Sequence, residues 1–169
     1  MQQYFPQGYN ETVRASLLVA LVYQASGYLV TRARKRFFNK EFLNKHYGEE
    51  HKKYFGTEPP AGGYPDPGDG RYADKLSLGE WNDFNLSVRA FNNFSEWIVA
   101  SLTTVLLLGL IYPSLGTYLG YILAFGRASY SIGYLYDPSK RMLGAAVSEI
   151  AIILGWLAIF YGLYEKRSA

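Results

Sequence analysis

The sequence predicts an all-α membrane protein, a bundle of four transmembrane helices, from the distribution of its charges. Residues 97–126 form a run of 30 without a single Asp, Glu, Lys or Arg, and residues 15–31 form a second run of 17. A third stretch, 142–164, has 23 residues and one charge, Glu149. A bilayer core about 30 Å thick needs roughly 20 mostly apolar residues per helix. The alternative is a soluble all-α bundle, but a soluble helix has no need of so long an uncharged surface.

Four membrane spans are predicted in chain order, near residues 14–33, 86–112, 115–136 and 143–164, within a single domain that covers residues 1–169. The longest uncharged run is divided at Tyr112-Pro113-Ser114, because proline stops the preceding helix. Residues 38–85 are predicted to form a long extramembrane loop. Its segment 39–55 alternates charged and aromatic residues, which favours a short amphipathic helix at the membrane surface. The Gly- and Pro-rich segment 58–70 is expected to be extended.

The basic residues predict how the spans are oriented. The first connection carries ten Lys and Arg residues and the third carries two, whereas the opposite side carries three. Cytoplasmic loops are enriched in Lys and Arg, so both termini are expected on the outer or lumenal side. The chain has no Cys and only two His. We therefore expect no disulfide, no catalytic thiol and no metal site. We also expect no nucleic-acid partner.

Several polar side chains fall inside or at the ends of the predicted spans, where they are costly and therefore informative. The polar side chains of the second span lie at positions i, i+4 and i+7. The polar side chains of the third span lie at positions i, i+3 and i+7, so each set of three shares one helix face. The two sets are Arg89, Asn93 and Glu96, and Arg127, Tyr130 and Tyr134. Arg34 and Lys35 end the first span, and Lys140 and Arg141 follow the third. Together they predict a wet, cationic pocket at one end of the bundle.

Such a pocket suits a small ligand that carries several anionic groups and one ammonium. Arginine forks bind carboxylates in bidentate geometry, and Glu96 could bind the ammonium. An arginine beside a ligand thiol would favour the thiolate. The alternative is structural: Arg89 and Glu96 could pair with each other and with a neighbouring subunit to fix the helix register.

Three segments resemble the MAPEG family, the membrane-associated proteins in eicosanoid and glutathione metabolism. The segment Arg89-Ala90-Phe91-Asn92-Asn93-Phe94-Ser95-Glu96 is similar to the family signature Arg-Ala-x-x-Asn-x-x-Glu. The segment that closes the first span, Val30-Thr31-Arg32-Ala33-Arg34-Lys35-Arg36-Phe37, resembles the family's Ala-Arg-Lys segment. The segment Gly126-Arg127-Ala128-Ser129-Tyr130-Ser131-Ile132-Gly133-Tyr134, followed by Pro138-Ser139-Lys140-Arg141 and Gly144-Ala145, most resembles the microsomal glutathione transferases of the third type.

The resemblance implies a homotrimer of four-helix protomers that binds glutathione as co-substrate between adjacent subunits. The implied glutathione-binding residues are Arg34, Arg89, Asn93, Glu96, Tyr130 and Tyr134, and the predicted pocket adds Lys35 and Arg127. Arg141 would be the catalytic residue, stabilising the thiolate for attack on a lipophilic electrophile or hydroperoxide. The partners implied are membrane lipid and a lipophilic small molecule, in the endoplasmic reticulum or a mitochondrial membrane.

Two functions are compatible with the sequence. The first is a membrane-bound, glutathione-dependent transferase or peroxidase, favoured by the complete motif. The second is an accessory structural subunit of a large membrane complex with a vestigial or blocked pocket. It is favoured by the connection between Phe38 and Asn85, which is far longer than the usual loop of the family.

Overall fold

A computed structural model describes residues 4–62 and 66–168, and most of these residues are helical. The five α-helices are α1 (Tyr9–Phe37), α2 (Lys40–Phe55), α3 (Leu78–Ile111), α4 (Pro113–Tyr136) and α5 (Met142–Ser168). Two short 3-10 helices lie at Ala73–Lys75 and Pro138–Arg141. No strand occurs among the described residues. The all-α prediction is confirmed.

Three of these helical segments are long and apolar enough to cross a membrane: Tyr9–Phe37, Leu78–Ile111 and Pro138–Arg167. The helix α4 is not among them, although it has 24 residues. Twelve of the 24 are Gly, Tyr or Ser, and Arg127 adds a charge, so its hydropathy is low. The fourth span therefore stays a prediction.

Local sequence signals explain where the long helices begin. Ser77 and Glu80 form a capping box, in which the Glu80 side chain accepts from the Ser77 backbone N–H at 3.0 Å and Ser77 Oγ accepts from the Glu80 N–H at 3.3 Å. The box starts α3 at Leu78, eight residues before the predicted span, in a stretch expected to be loop. α3 ends at Ile111 and α4 begins at Pro113, at the stop signal in the sequence. α2 occupies the segment expected to be amphipathic.

The described chain divides into two compact units. The bundle unit comprises the residues up to Ala25 and those from Asn92 onward, and the insert unit is Ser26–Phe91. The bundle unit has an apolar core to which all four of its long helices contribute. Its members include Val19 of α1, Phe94 and Val105 of α3, Leu123 of α4 and Ile152 of α5. All five are 0% exposed. Helix association in a bilayer depends on close packing of this kind.

The insert unit has its own apolar core, built around Phe38, Leu43 and Phe84. The polar centre of the insert is Asp66, whose side chain is buried. One of its carboxylate oxygens accepts from the backbone N–H groups of Gly68 at 2.7 Å and Gly70 at 3.0 Å, and the other accepts from that of Ala73 at 2.8 Å. The segment 58–70, which was expected to be extended, thus ends in a turn organised by one carboxylate.

Replacing Asp66 with Ala should loosen this turn, because the N–H groups of Gly68 and Gly70 lose their acceptor and that of Ala73 keeps only the Gly70 carbonyl. An unsatisfied buried donor costs about 1–3 kcal/mol. We expect the amide hydrogens of Gly68, Gly70 and Ala73 to exchange at least about tenfold faster, as measured by hydrogen exchange in lipid nanodiscs. Asp69→Ala is the matched control, because Asp69 lies in the same turn but is exposed. Equal exchange rates in the two variants would contradict the role given to Asp66.

Candidate functional site

The helix α4 presents three of the candidate residues on its buried face. Arg127, Tyr130 and Tyr134 are 2%, 6% and 6% exposed. Their spacing of three and four residues places them on one side of the helix. The rings of Tyr130 and Tyr134 lie 5.7 Å apart, centroid to centroid. The face predicted for α4 is therefore present, and it points into the bundle unit.

Arg127 is a fully buried cation held by one polar partner and several aromatic rings. Its Nη1 donates to Asn93 Oδ1 at 2.9 Å. The guanidinium carbon lies 5.5 Å from the ring centre of Phe94, 5.3 Å from that of Trp97 and 5.8 Å from that of Tyr130. Cation–π contacts of this kind offset part of the desolvation of the charge. Within the described part of the chain, Arg127 Nε and Nη2 have no hydrogen-bond partner.

Asn93 and Glu96 continue the polar contacts of Arg127 along α3. Asn93 Nδ2 donates to Glu96 Oε2 at 3.5 Å, the long limit of a hydrogen bond. Asn93 is half-buried, whereas Glu96 is exposed. The carboxylate of Glu96 is therefore accessible to a ligand.

Arg141 lies just beyond the C-terminal end of α4, on the 3-10 helix Pro138–Arg141. Its guanidinium carbon is 5.1 Å from the ring centre of Tyr134, and its Nη1 donates to the Pro138 carbonyl at 2.8 Å. Arg141 is half-buried, so part of its guanidinium remains open to a ligand.

Close approaches between backbones fix the position of this 3-10 helix against α4. A Cβ atom at Gly133 would lie 2.7 Å from the carbonyl oxygen of Lys140, a separation that real Cβ atoms do not show. Only glycine permits this approach. Asp137 begins the 3-10 helix, and its Oδ1 accepts from the backbone N–H of Ser139 at 2.7 Å. Sequence reasoning missed Asp137, although Asp before Pro-Ser is a turn signal.

The structure brings six of the nine candidate residues into one continuous row of contacts within the bundle unit. In spatial order the row is Arg141, Tyr134, Tyr130, Arg127, Asn93 and Glu96. It has a half-buried cation at one end and an exposed carboxylate at the other. The aromatic rings of Phe94 and Trp97 complete its walls, and they were not predicted because apolar ring contacts leave no polar signal in a sequence.

The other three candidates, Arg34, Lys35 and Arg89, belong to the insert unit. Arg34 Nη1 donates to the backbone carbonyls of Gly62, at 3.3 Å, and Asp66. Its guanidinium carbon lies 5.4 Å from the ring centre of Phe84. Arg34 therefore holds the turn around Asp66, a structural role that the sequence did not predict. Lys35 and Arg89 are exposed.

A cleft of about 430 Å³ in the insert unit contains none of the candidate residues. Its lining is mainly aromatic and consists of Tyr47, Glu50, His51, Tyr54, Phe55, Arg71 and Tyr72. Among the described residues, no group of three or more His, Asp and Glu side chains could hold a metal ion.

A family model described as the MAPEG family matches residues 12–161, which is most of the sequence. The chain belongs to the MAPEG family. This match confirms the resemblance identified from the three motifs, and with three apolar helices it makes this MAPEG protein an integral membrane protein. No curated protein matches the sequence.

The cap at Asp137 gives this MAPEG protein a testable pH dependence. The hydrogen bonds of Asp137 to the side chain and backbone of Ser139 lower the pKa of the carboxyl below its usual value. A lowered pKa in the folded state stabilises the fold above the unfolded pKa of about 3.9, and the contribution is lost as pH falls through the folded pKa.

Asp137→Ala should therefore lower the melting temperature at pH 7 but not at pH values below the folded pKa, where both proteins lack the charged cap. Thermal unfolding of both proteins in detergent between pH 7 and pH 2.5 measures the difference. A difference that persists or grows as pH falls would contradict the assignment.

Proposed function

We propose that this protein is a membrane-bound, glutathione-dependent transferase or peroxidase. The MAPEG family includes glutathione transferases and related proteins. The observation that carries the proposal is the row from Arg141 to Glu96, which has a cation and a carboxylate at its two ends and buried aromatic rings between them. Glutathione carries a thiol and an ammonium, and a guanidinium and a carboxylate are the chemical partners of a thiolate and an ammonium.

In this proposal Arg141 stabilises the glutathione thiolate. A thiol has a pKa of about 8.5, so only a few per cent is ionised at pH 7. A guanidinium beside the sulfur favours the anion, and each unit of pKa lowering corresponds to about 1.4 kcal/mol. Arginine suits the role because it stays protonated at every physiological pH. The buried rings of Tyr130 and Tyr134 lie between Arg141 and the polar end of the row and are proposed to form its floor.

The thiolate would then attack a lipophilic substrate that enters from the bilayer. With an electrophile, a carbon–sulfur bond forms and the leaving group departs with the bonding electrons. With a hydroperoxide, the thiolate attacks the terminal oxygen, the O–O bond breaks, and the alkoxide leaves as an alcohol after protonation. A second glutathione displaces hydroxide from the resulting sulfenic acid, which gives water and glutathione disulfide. Neither route requires a metal.

The ammonium of glutathione is proposed to bind the exposed carboxylate of Glu96. The family resemblance also assigns Arg34 and Arg89 to glutathione, and the pocket predicted from the sequence adds Lys35. We also propose that α4 is a fourth span, that three copies assemble as the resemblance implies, and that the protein resides in the endoplasmic reticulum or a mitochondrial membrane.

Arg141→Ala should abolish stabilisation of the thiolate. An ultraviolet titration of the purified protein with glutathione is expected to show a saturable thiolate absorbance in the wild type. At a pH below the pKa of the bound thiol, we expect the signal at saturation in Arg141→Ala to fall about tenfold for each unit by which Arg141 lowers that pKa. Lys140→Ala is the matched control, because Lys140 is the adjacent cation and is exposed.

The two variants separate a local effect of Arg141 from the general loss of a positive charge. Melting temperatures of all three proteins establish that they are folded. A wild-type protein that is folded but shows no thiolate signal would contradict the proposed function. An equal loss in Lys140→Ala and Arg141→Ala would contradict the specific role of Arg141.

A further inference from the structure

We propose that Arg127 is a positioning residue, which fixes the side-chain amide of Asn93 and thereby sets Glu96 to bind the ammonium of the substrate. This inference rests on the proposed function, and it replaces the expectation that Arg127 touches glutathione directly. It is argued from contacts that all lie within the bundle unit.

Burial excludes a direct contact between Arg127 and a bound ligand. Arg127 is 2% exposed and is the largest of the fully buried side chains. Phe94, Trp97 and Tyr130 surround the guanidinium with their rings. A ligand that binds at the open end of the row would have to displace one of these rings to reach it. Arg127 therefore acts through the residue to which it is hydrogen-bonded.

The chemistry of arginine determines which way the Asn93 amide points. A guanidinium has only donors, whereas an asparagine amide has one acceptor oxygen and one donor nitrogen. Because Arg127 Nη1 lies 2.9 Å from the amide, the atom facing it must be Oδ1. The amide nitrogen must then point away from Arg127, toward Glu96 Oε2 at 3.5 Å. The donor set of Arg127 thus removes the usual ambiguity of an asparagine side chain.

The orientation of Asn93 decides what Glu96 can bind. The amide N–H is directed at one carboxylate oxygen, and the exposed carboxylate keeps acceptor capacity for a ligand. A carboxylate only accepts hydrogen bonds, so this end of the row suits an ammonium. The positive charge of Arg127 polarises the amide between them, which strengthens the donor that faces Glu96. We call the contacts from Arg127 through Asn93 to Glu96 the relay. It favours substrates with a primary ammonium group.

The test compares two ligands that differ only in this group. Glutathione carries the ammonium, and glutaryl-cysteinyl-glycine lacks it. The selectivity is the ratio of their dissociation constants from the ultraviolet titration. We expect Arg127→Met to reduce the selectivity about tenfold, the scale of one hydrogen bond to a charged group. Asn93→Ala should reduce it similarly, and the double variant no further, because both residues act through one path. Arg127→Lys should restore part of the selectivity.

Ser131→Ala is the matched control for disturbed packing. Ser131 is a buried residue one turn from Arg127 on α4, and its Oγ has no hydrogen-bond partner among the described residues. This variant should leave the selectivity unchanged. An Arg127→Met protein that loses affinity equally for both ligands would overturn the proposal, since that result indicates a purely structural role.

Two further measurements keep the outcome decisive. If Arg127→Met fails to fold, Asn93→Ala carries the test alone: it removes both the acceptor for Arg127 and the donor for Glu96 without adding a charge, so the selectivity must still fall. If the wild type binds no glutathione, the proposed function fails, and the relay is tested by NMR on protein labelled with ¹⁵N-asparagine. The side-chain amide of Asn93 should exchange its hydrogens faster in Arg127→Lys than in Ser131→Ala. Equal exchange would overturn the relay.

Discussion

The bundle unit depends on how it accommodates one buried cation. A guanidinium removed from water costs several kcal/mol unless charge, hydrogen bonds or aromatic rings compensate. Arg127 has one hydrogen bond, to Asn93, and three ring contacts, and within the described residues no carboxylate forms an ion pair with it. This arrangement fixes the neighbouring side chains on α3 and α4 relative to each other. The candidate site extends from this buried contact toward two accessible side chains, Glu96 in one direction and Arg141 in the other.

The insert unit contains a buried carboxylate, that of Asp66, where the bundle unit contains a buried cation. The carboxylate of Asp66 binds three backbone N–H groups and organises a Gly- and Pro-rich turn that has little side-chain volume to pack. Arg34 binds carbonyls of the same turn. An arginine that the family resemblance assigns to glutathione thus has a structural task in this chain, and the long connection is the reason. The insert is consequently an ordered unit around its own core, in a segment for which composition predicted only a loop.

Periodicity and charge were sufficient to predict the fold class and the faces that carry the candidate residues. Uncharged runs predicted the apolar helices, and spacings of three, four and seven residues placed Tyr130 and Tyr134 beside Arg127. What could not be predicted depends on contacts between residues distant in sequence. Nothing local to Arg127 indicates that Asn93 is its partner, and nothing local to Arg34 indicates that it binds the carbonyl of Gly62. The low hydropathy of α4 has the same origin, because its Gly residues permit close helix contacts and Tyr130 and Tyr134 belong to the polar row.

Photoaffinity labelling tests the central claim, that the row from Arg141 to Glu96 binds glutathione, most directly. The probe is an S-azidophenacyl derivative of glutathione, whose reactive group extends from the sulfur, and the labelled peptides are identified by mass spectrometry. Our account predicts labelling close to Arg141, on peptides that span residues 130–141, and loss of the label when excess glutathione competes. Labelling that glutathione does not displace, or that falls on the aromatic cleft of the insert unit, would contradict it.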